Sequence, residues 1–386
     1  MSKVKIGIIG VGNMGTSHAQ NIYEGKVPGA ELEAVADIKP DRLKWVNNEL
    51  GEDIKTYNDN DEFFADDNID AVMIATPHYD HPPLAIKGFE NDKHVLIEKP
   101  AGVYTRQVRE MNEAAEKSDK KFCIMFNQRT KPVFQKLREM IQSGEVGELK
   151  RTVWIINSWY RSQSYYDSGT WRATWEGEGG GVLLNQCPHN LDLWQWTCGL
   201  PTKVRAFCDF GKYHDIEVED DVTAYVEYEN GATGVFVTST AEAPGTNRLE
   251  ISANKGKIVV EDGKINFWKL ETPERQFNEE YEGGFGAPDN EKIEIKVEGE
   301  TTSHVGIIND WVDSIKNDTE MLSPGEEGIR SLELSNAMLL STWQDDWVDI
   351  PVSEDQFYEE LQKRIEESDY EKDVGGDTTL DVSGSH

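Results

Sequence analysis

Gly10, Gly12 and Gly15 stand at GxGxxG spacing, after the apolar run KVKIGIIG and before a helix-patterned stretch. A strand that turns on glycine into a helix opens a βαβ unit, and few folds accept that arrangement. Gly10 allows the tight turn. Gly12 lets the backbone approach a pyrophosphate. Gly15 lets helix and strand pack closely. The helix N-terminus, with Asn13 and Met14 in its first turn, offers positive potential to an anion. A glycine-rich turn with no ligand is the plain alternative.

The residues that follow extend the same unit. ELEAVAD (31–37), IDAVMIATP (69–77), HVLIEKP (94–100) and KFCIMF (121–126) read as further strands. Helical patterns lie between them at 14–25, 40–50, 81–91 and 105–118. Strands alternating with helices give a parallel sheet with right-handed crossovers. This part, 1–127, reads as a doubly wound dinucleotide-binding domain. Beyond a helix near 131–143 the pattern changes to alternating runs joined by short turns such as ENGA, NKGK and EDGK. Those are hairpin signals, so 128–352 reads as an α+β domain with a large, mostly antiparallel, open-faced sheet. Helices return at 304–317 and 326–343. Residues 353–386 form an acidic extension whose polar, glycine-rich end is expected to be disordered. The fold class is α/β.

Asp37 ends the second strand, 22 residues after Gly15. An acid there bonds the ribose diol of the adenosine and repels a 2′-phosphate, which favours NAD. Ile38 adjoins it. Lys39 and Arg42 follow and would suit a 2′-phosphate, so NADP stays open as the alternative. Glu98-Lys99-Pro100 closes the fourth strand. Ligands of open α/β sheets bind beyond the carboxyl ends of strands, so Lys99 is aimed at the cofactor crevice, with Glu98 beside it to orient it. A solvated lysine at a strand end is the bland alternative.

In GGGVLLNQCPHNLDLWQW (179–196), Asn185 stands four residues before His189 and Asp192 three after. On one helix that spacing puts all three on one face, provided the helix survives Pro188. The glycines read as room for a tight turn or a close backbone approach. WYRSQSYYDSGTWRATW (159–175) is rich in aromatics and arginine for a loop. Arg129, Tyr160, Arg161, Trp171, Arg172 and Trp175 thus form a candidate substrate wall, against an even alternative of loop packing. His18 lies on the first helix and His94 begins a strand, while His214, His304 and His386 are isolated, and none of the five suggests a site. No HExxH and no His/Cys cluster points to a metal.

The chain carries 72 acidic and 39 basic residues, a net charge of −33. That excludes nucleic acid as a partner and disfavours anionic substrates and membranes at long range. It fits a salt-rich cytosol, and equally an ordinary acidic protein. The four cysteines form no CxxC, the first residues run straight into a strand, and no apolar run approaches the ~20 residues of a membrane span. A cytoplasmic protein with free thiols is the expectation.

These motifs, in this order and spacing, resemble the glucose–fructose oxidoreductase / inositol dehydrogenase / rhizopine-catabolism family, Gfo/Idh/MocA. The resemblance rests on the GxGxxG at 10–15, ATPHYDHPPLAIKGFENDKHVLIEKP at 75–100, NQR at 127–129 and GGGVLLNQCPHNLD at 179–192, and covers about 1–350. It implies hydride transfer between a sugar, glycoside or polyol carbon and a nicotinamide cofactor, and dimers or tetramers built through the second sheet. It implies that Lys99 contacts the reacting hydroxyl and that His189 is the general acid/base. It places Thr76, Pro77, His78, His81 and Asn127 near the cofactor and Asn185 near His189 and the substrate; Arg129, Arg161, Trp171 and Arg172 are added as substrate candidates by the wall reading. Two positions depart from the family. Asn185 stands where many members have Asp, and His78 replaces the Asn of TPNxxH. The chemistry suits these types: alcohol oxidation needs a base near neutral pH and a cation to favour the alkoxide.

Three functions remain open at this stage. One is a sugar or polyol dehydrogenase, with a neutral pyranose or glycoside favoured over inositol. The second is an enzyme that keeps NAD bound and uses it transiently on glycosides. The third is a non-catalytic regulator that binds NAD and sugar.

Overall fold

The computed structural model describes residues 2–372. Of the end expected to be disordered, YEKDVGGDTTLDVSGSH (370–386), residues 373–386 lie outside the described residues, while Tyr370 and Lys372 are held by hydrogen bonds to the Asp215 and Gly169 carbonyls. Six strands form the first sheet: β1 (Val4–Ile9), β2 (Ala30–Ala36), β3 (Lys55–Tyr57), β4 (Ala71–Ile74), β5 (His94–Ile97) and β6 (Phe122–Ile124). Their order is β3-β2-β1-β4-β5-β6, every neighbouring pair parallel. The order reverses between β1 and β4, which opens a crevice beyond their carboxyl ends. The central strands β4 and β5 and most of β1 are continuous apolar runs because helices cover both faces, whereas the edge strand β3 is Lys-Thr-Tyr and partly exposed.

Nine strands form the second sheet: β7 (Leu149–Ile156), β8 (Lys203–Phe210), β9 (Glu219–Glu227), β10 (Thr233–Ser239), β11 (Asn247–Ala253), β12 (Gly256–Glu261), β13 (Lys264–Leu270), β14 (Asn290–Ile295) and β15 (Val348–Asp349). All its pairings are antiparallel except β7 with β10. Burial alternates along these strands, so one face meets helices and the other does not.

Two helices matter most for the site. Pro188–Cys198 lies on the second sheet, where Trp194 stacks on Phe236 at 5.5 Å and its indole N–H donates to Thr152 Oγ1 at 3.0 Å. Ser303–Asn317 returns from the second half of the chain to the first sheet, burying Ile307, Ile308, Trp311 and Val312 in the core of β1 and β2. It brings His304 to the crevice. A helix at Glu354–Glu367, which the sequence reading left without a fold, packs Phe357 and Leu361 into the main core.

Candidate active site

The glycines divide their work by geometry. A Cβ on Gly15 would lie 1.8 Å from the Gly10 carbonyl oxygen, and one on Gly10, whose φ is +88°, would lie 2.8 Å from the Ala75 oxygen. Both positions serve packing. A Cβ on Gly12 would meet nothing within 4 Å, so Gly12 keeps open the mouth of a cavity of about 740 Å³. The helix Asn13–Tyr23 begins there with no side-chain cap and no acid in its first turn. Its free N–H groups therefore face the space where a pyrophosphate fits. Asp37 accepts from the Val11 N–H at 2.9 Å and the Lys39 N–H at 2.8 Å, which pins its carboxylate at the rim. Ile38 is 79 % exposed beside it, and Lys39 and Arg42 line the same edge. The residues present fit a dinucleotide.

At the inner end, Lys99 Nζ donates to the Asn185 carbonyl at 2.8 Å, joining the end of β5 to the second half of the chain. Burial lowers the Lys99 ammonium from its ordinary range, against the opposing charges of Glu98 and Glu178. His189 opens the helix Pro188–Cys198, borders the same cavity and meets the Phe126 ring at 6.3 Å. Its Nδ1 has no hydrogen-bond partner. Burial, then the charge of Lys99, holds its imidazole well below the usual range. An imidazole so depressed suits a base, and it borders the same cavity as Lys99.

The one-face reading of 185, 189 and 192 does not hold. The helix Val182–Asn185 stops, and Pro188 starts another in which it occupies the first turn. Asn185 offers Lys99 a backbone oxygen, while its side-chain amide donates to buried Glu178 and its Oδ1 accepts from Tyr165 at 3.3 Å. Asp192 turns away to Arg129, at 2.6 and 2.8 Å. Arg129 is fully buried and also holds Glu327 at 2.5 Å and the Leu322 carbonyl at 3.0 Å. It fastens the interior and does not reach the crevice, so its expected substrate contact is corrected. The glycines behave as read: a Cβ on Gly181 would lie 2.0 Å from the Glu219 oxygen.

His81 is corrected as well. Its ring nitrogens lie 2.7 Å from the Pro100 oxygen and 2.8 Å from the Thr76 oxygen, so it ties together the loops after β4 and β5 and leaves the cofactor to its neighbours. Thr76, Pro77 and His78 do line the cavity, with Thr76 Oγ1 buried and unpartnered and His78 against Trp171. Asn127 lines it too, its Oδ1 free and its Nδ2 3.5 Å from His304 Nδ1.

Glu98 does not orient the Lys99 side chain. It accepts the Lys99 backbone N–H at 3.1 Å and pairs with His18 at 2.7 Å. Burial pushes its carboxyl up, but the His18 hydrogen bond together with the charges of His18, His304 and Lys99 outweighs that and holds it at about 2. His304 meets the His18 ring at 5.6 Å. The sequence reading assigns neither histidine a role: it places His18 on the first helix and leaves His304 isolated. His18 had a signal: Gly15, His18, Ala19 and Ile22 form the buried face of the first helix, and a polar residue on that face needs a partner. His304 had none, because its place depends on a helix crossing back to the first sheet. Glu178 and Tyr165 were also missed, since their meaning comes from contact with Asn185.

Of the candidate wall, Arg161, Trp171 and Arg172 line the cavity. Tyr160 is exposed outside it, and Trp175 packs on Phe210 and Trp343 in the core. Among the described residues no group of three His, Cys, Asp or Glu side chains is arranged for a metal, and no helix is long and apolar enough to cross a membrane.

Residues 4–126 match a family model described as an oxidoreductase family NAD-binding Rossmann fold, and residues 134–259 match a GFO/IDH/MocA C-terminal domain. The chain is 29% identical over 265 residues to myo-inositol 2-dehydrogenase of Thermotoga maritima, covering 67% of this chain and 75% of that one. It is 23% identical to levoglucosan dehydrogenase of Pseudarthrobacter phenanthrenivorans over 91% of this chain and 99% of that one. The structure of the WlbA dehydrogenase of Chromobacterium violaceum, with NADH and UDP-GlcNAcA, superposes with a TM-score of 0.77 at 27% identity, covering 92% and 97% of the two chains.

Proposed function

The chain belongs to the Gfo/Idh/MocA family of NAD-dependent oxidoreductases, and from that premise we propose that it interconverts a secondary alcohol and a carbonyl on a sugar, glycoside or polyol. The observation that carries the reading is one cavity that holds the glycine cradle at one end and Lys99 with a neutral His189 at the other. When bound, the nicotinamide takes or returns the hydride. Lys99 donates from Nζ to the substrate oxygen and favours its alkoxide form. His189 takes the hydroxyl proton on a ring nitrogen, and its unpartnered Nδ1 supports that role. Asn185 supports Lys99 through its carbonyl, and the His18–Glu98 pair fixes the Lys99 backbone from the other side. Asp37 supports NAD over NADP.

The work divides between residues 1–127, which hold the cofactor, and 128–352, which hold the substrate. Assembly into dimers or tetramers uses the uncovered face of the second sheet, where Phe207 and Tyr225 are exposed. The protein works in the cytoplasm. The test is NADH formation by the wild type and Lys99→Ala with NAD and NADP across inositols, pyranoses, glycosides and levoglucosan. Turnover of at least one such alcohol, lost in the variant, is expected. Unchanged activity in Lys99→Ala overturns the assignment of Lys99.

A further inference from the structure

Resting on the sugar-dehydrogenase reading, we propose that the substrate is an anionic sugar whose carboxylate or phosphate is received by Arg161 and Arg172. The net charge of −33 argues for a neutral substrate, but the cavity inverts that charge locally. Among the described residues that line it from the second half of the chain, the charged side chains are Arg161 and Arg172, and no carboxylate joins them. From the first half of the chain the cations Lys39, Arg42 and Lys99 line it together with the acids Asp37, Asp80 and Glu98, so the surplus of positive charge is the two arginines.

The two arginines act as a pair. Their guanidinium carbons lie 5.1 and 4.6 Å from the centre of one ring, that of Tyr165. The Tyr165 hydroxyl accepts from Arg172 at 2.8 Å and donates to Asn185 at 3.3 Å, beside the carbonyl that holds Lys99. The pair therefore sits next to the reacting centre. The Nε of each arginine is buried without a hydrogen-bond partner. The nearest acid, Glu178, lies 3.9 Å from Arg172 and is already bonded to Asn185 and to the Ala173 N–H. Arg161 makes no ion pair among the described residues. Guanidinium groups with an unpartnered Nε–H, at the edge of this cavity, match the oxygens of a carboxylate or phosphate. The inverted local field also draws an anion through an otherwise repulsive surface.

The test compares three probes at equal ionic strength: a neutral pyranose, the matching hexuronate and the matching sugar 6-phosphate. Each is assayed for NADH formation and titrated calorimetrically into the NADH-loaded enzyme. The expected result is a kcat/KM or affinity for one anion roughly tenfold or more above the neutral parent. The preferred anion identifies the source. Arg161→Gln and Arg172→Gln should raise KM for that anion by a similar factor, and NADH binding by fluorescence shows that each variant is folded. Preference for the neutral sugar, or an anion preference that survives both substitutions, overturns the proposal. Turnover of neutral sugars alone sinks this inference and leaves the sugar-dehydrogenase reading standing. If no probe is turned over, that reading is what fails, and the calorimetric arm still decides whether the arginines take an anion.

Discussion

Asn185 touches Lys99 through a carbonyl that any residue would supply, so its side chain answers to Glu178. Where the family often has an acid, this chain has an amide donating to a buried acid seven residues earlier. Asn185→Asp would set two carboxylates in contact, and one of them would have to hold a proton. A lower kcat/KM and a new ionisation in its pH profile are expected, both relieved by adding Glu178→Gln. His189 gives a second pH test. Its folded value lies below the ordinary ~6.5, so it stays neutral as pH falls through that range. Alcohol oxidation should hold its rate down to about pH 6.5 and fall only below it. The same depression lowers stability in that window, because the unfolded chain takes up the proton first. Arg129 and Asp192 define a third case. Asp192→Asn leaves a fully buried guanidinium short of its counter-charge, which costs about 3–5 kcal/mol. Thermal unfolding should shift down sharply while NADH affinity in the folded protein is kept.

At the scale of elements, the loop that carries Trp171 and Arg172 is fastened from the end of the described chain. Lys372 Nζ donates to the Tyr166, Gly169 and Arg172 carbonyls, the last two at 2.8 and 2.5 Å. Lys372→Met should speed amide exchange within 166–172 and raise substrate KM more than it lowers kcat, with NADH binding unchanged. Equal falls in kcat/KM and NADH affinity would contradict a local role. The strands and long helices were legible because hydrophobic period and glycine turns are local signals: the sequence reading of 40–50 is the helix Pro40–Glu49, and 105–118 is Thr105–Glu116. The short strand Lys55–Tyr57 and the helix Asn60–Phe64 were missed, being too brief to show a period. The break before Pro188 was legible only as a condition, since proline is equally at home opening a helix and kinking one.

For the whole molecule, the crevice was legible and its occupants were not. GxGxxG, Asp37 and the strand-end Lys99 announce a switch-point cleft. The crossing of Ser303–Asn317 onto the first sheet, which delivers His304, and the burial of Arg129 depend on contacts far apart in sequence that no local pattern carries. The charge of −33 acts at this scale too. Self-repulsion is screened by salt, so the unfolding midpoint should rise between 0.1 and ~1 M KCl; a flat or falling midpoint would remove the salt argument.

The account stands on Lys99 and His189 acting on a substrate hydroxyl beside a bound nicotinamide. The most direct measurement is single-turnover NADH formation from a substrate found in the alcohol panel, on NAD-saturated wild type, Lys99→Met and His189→Asn. Both variants should bind NADH as the wild type does and form it at least about a hundredfold more slowly. A variant that binds the cofactor and transfers hydride at the wild-type rate would contradict the account.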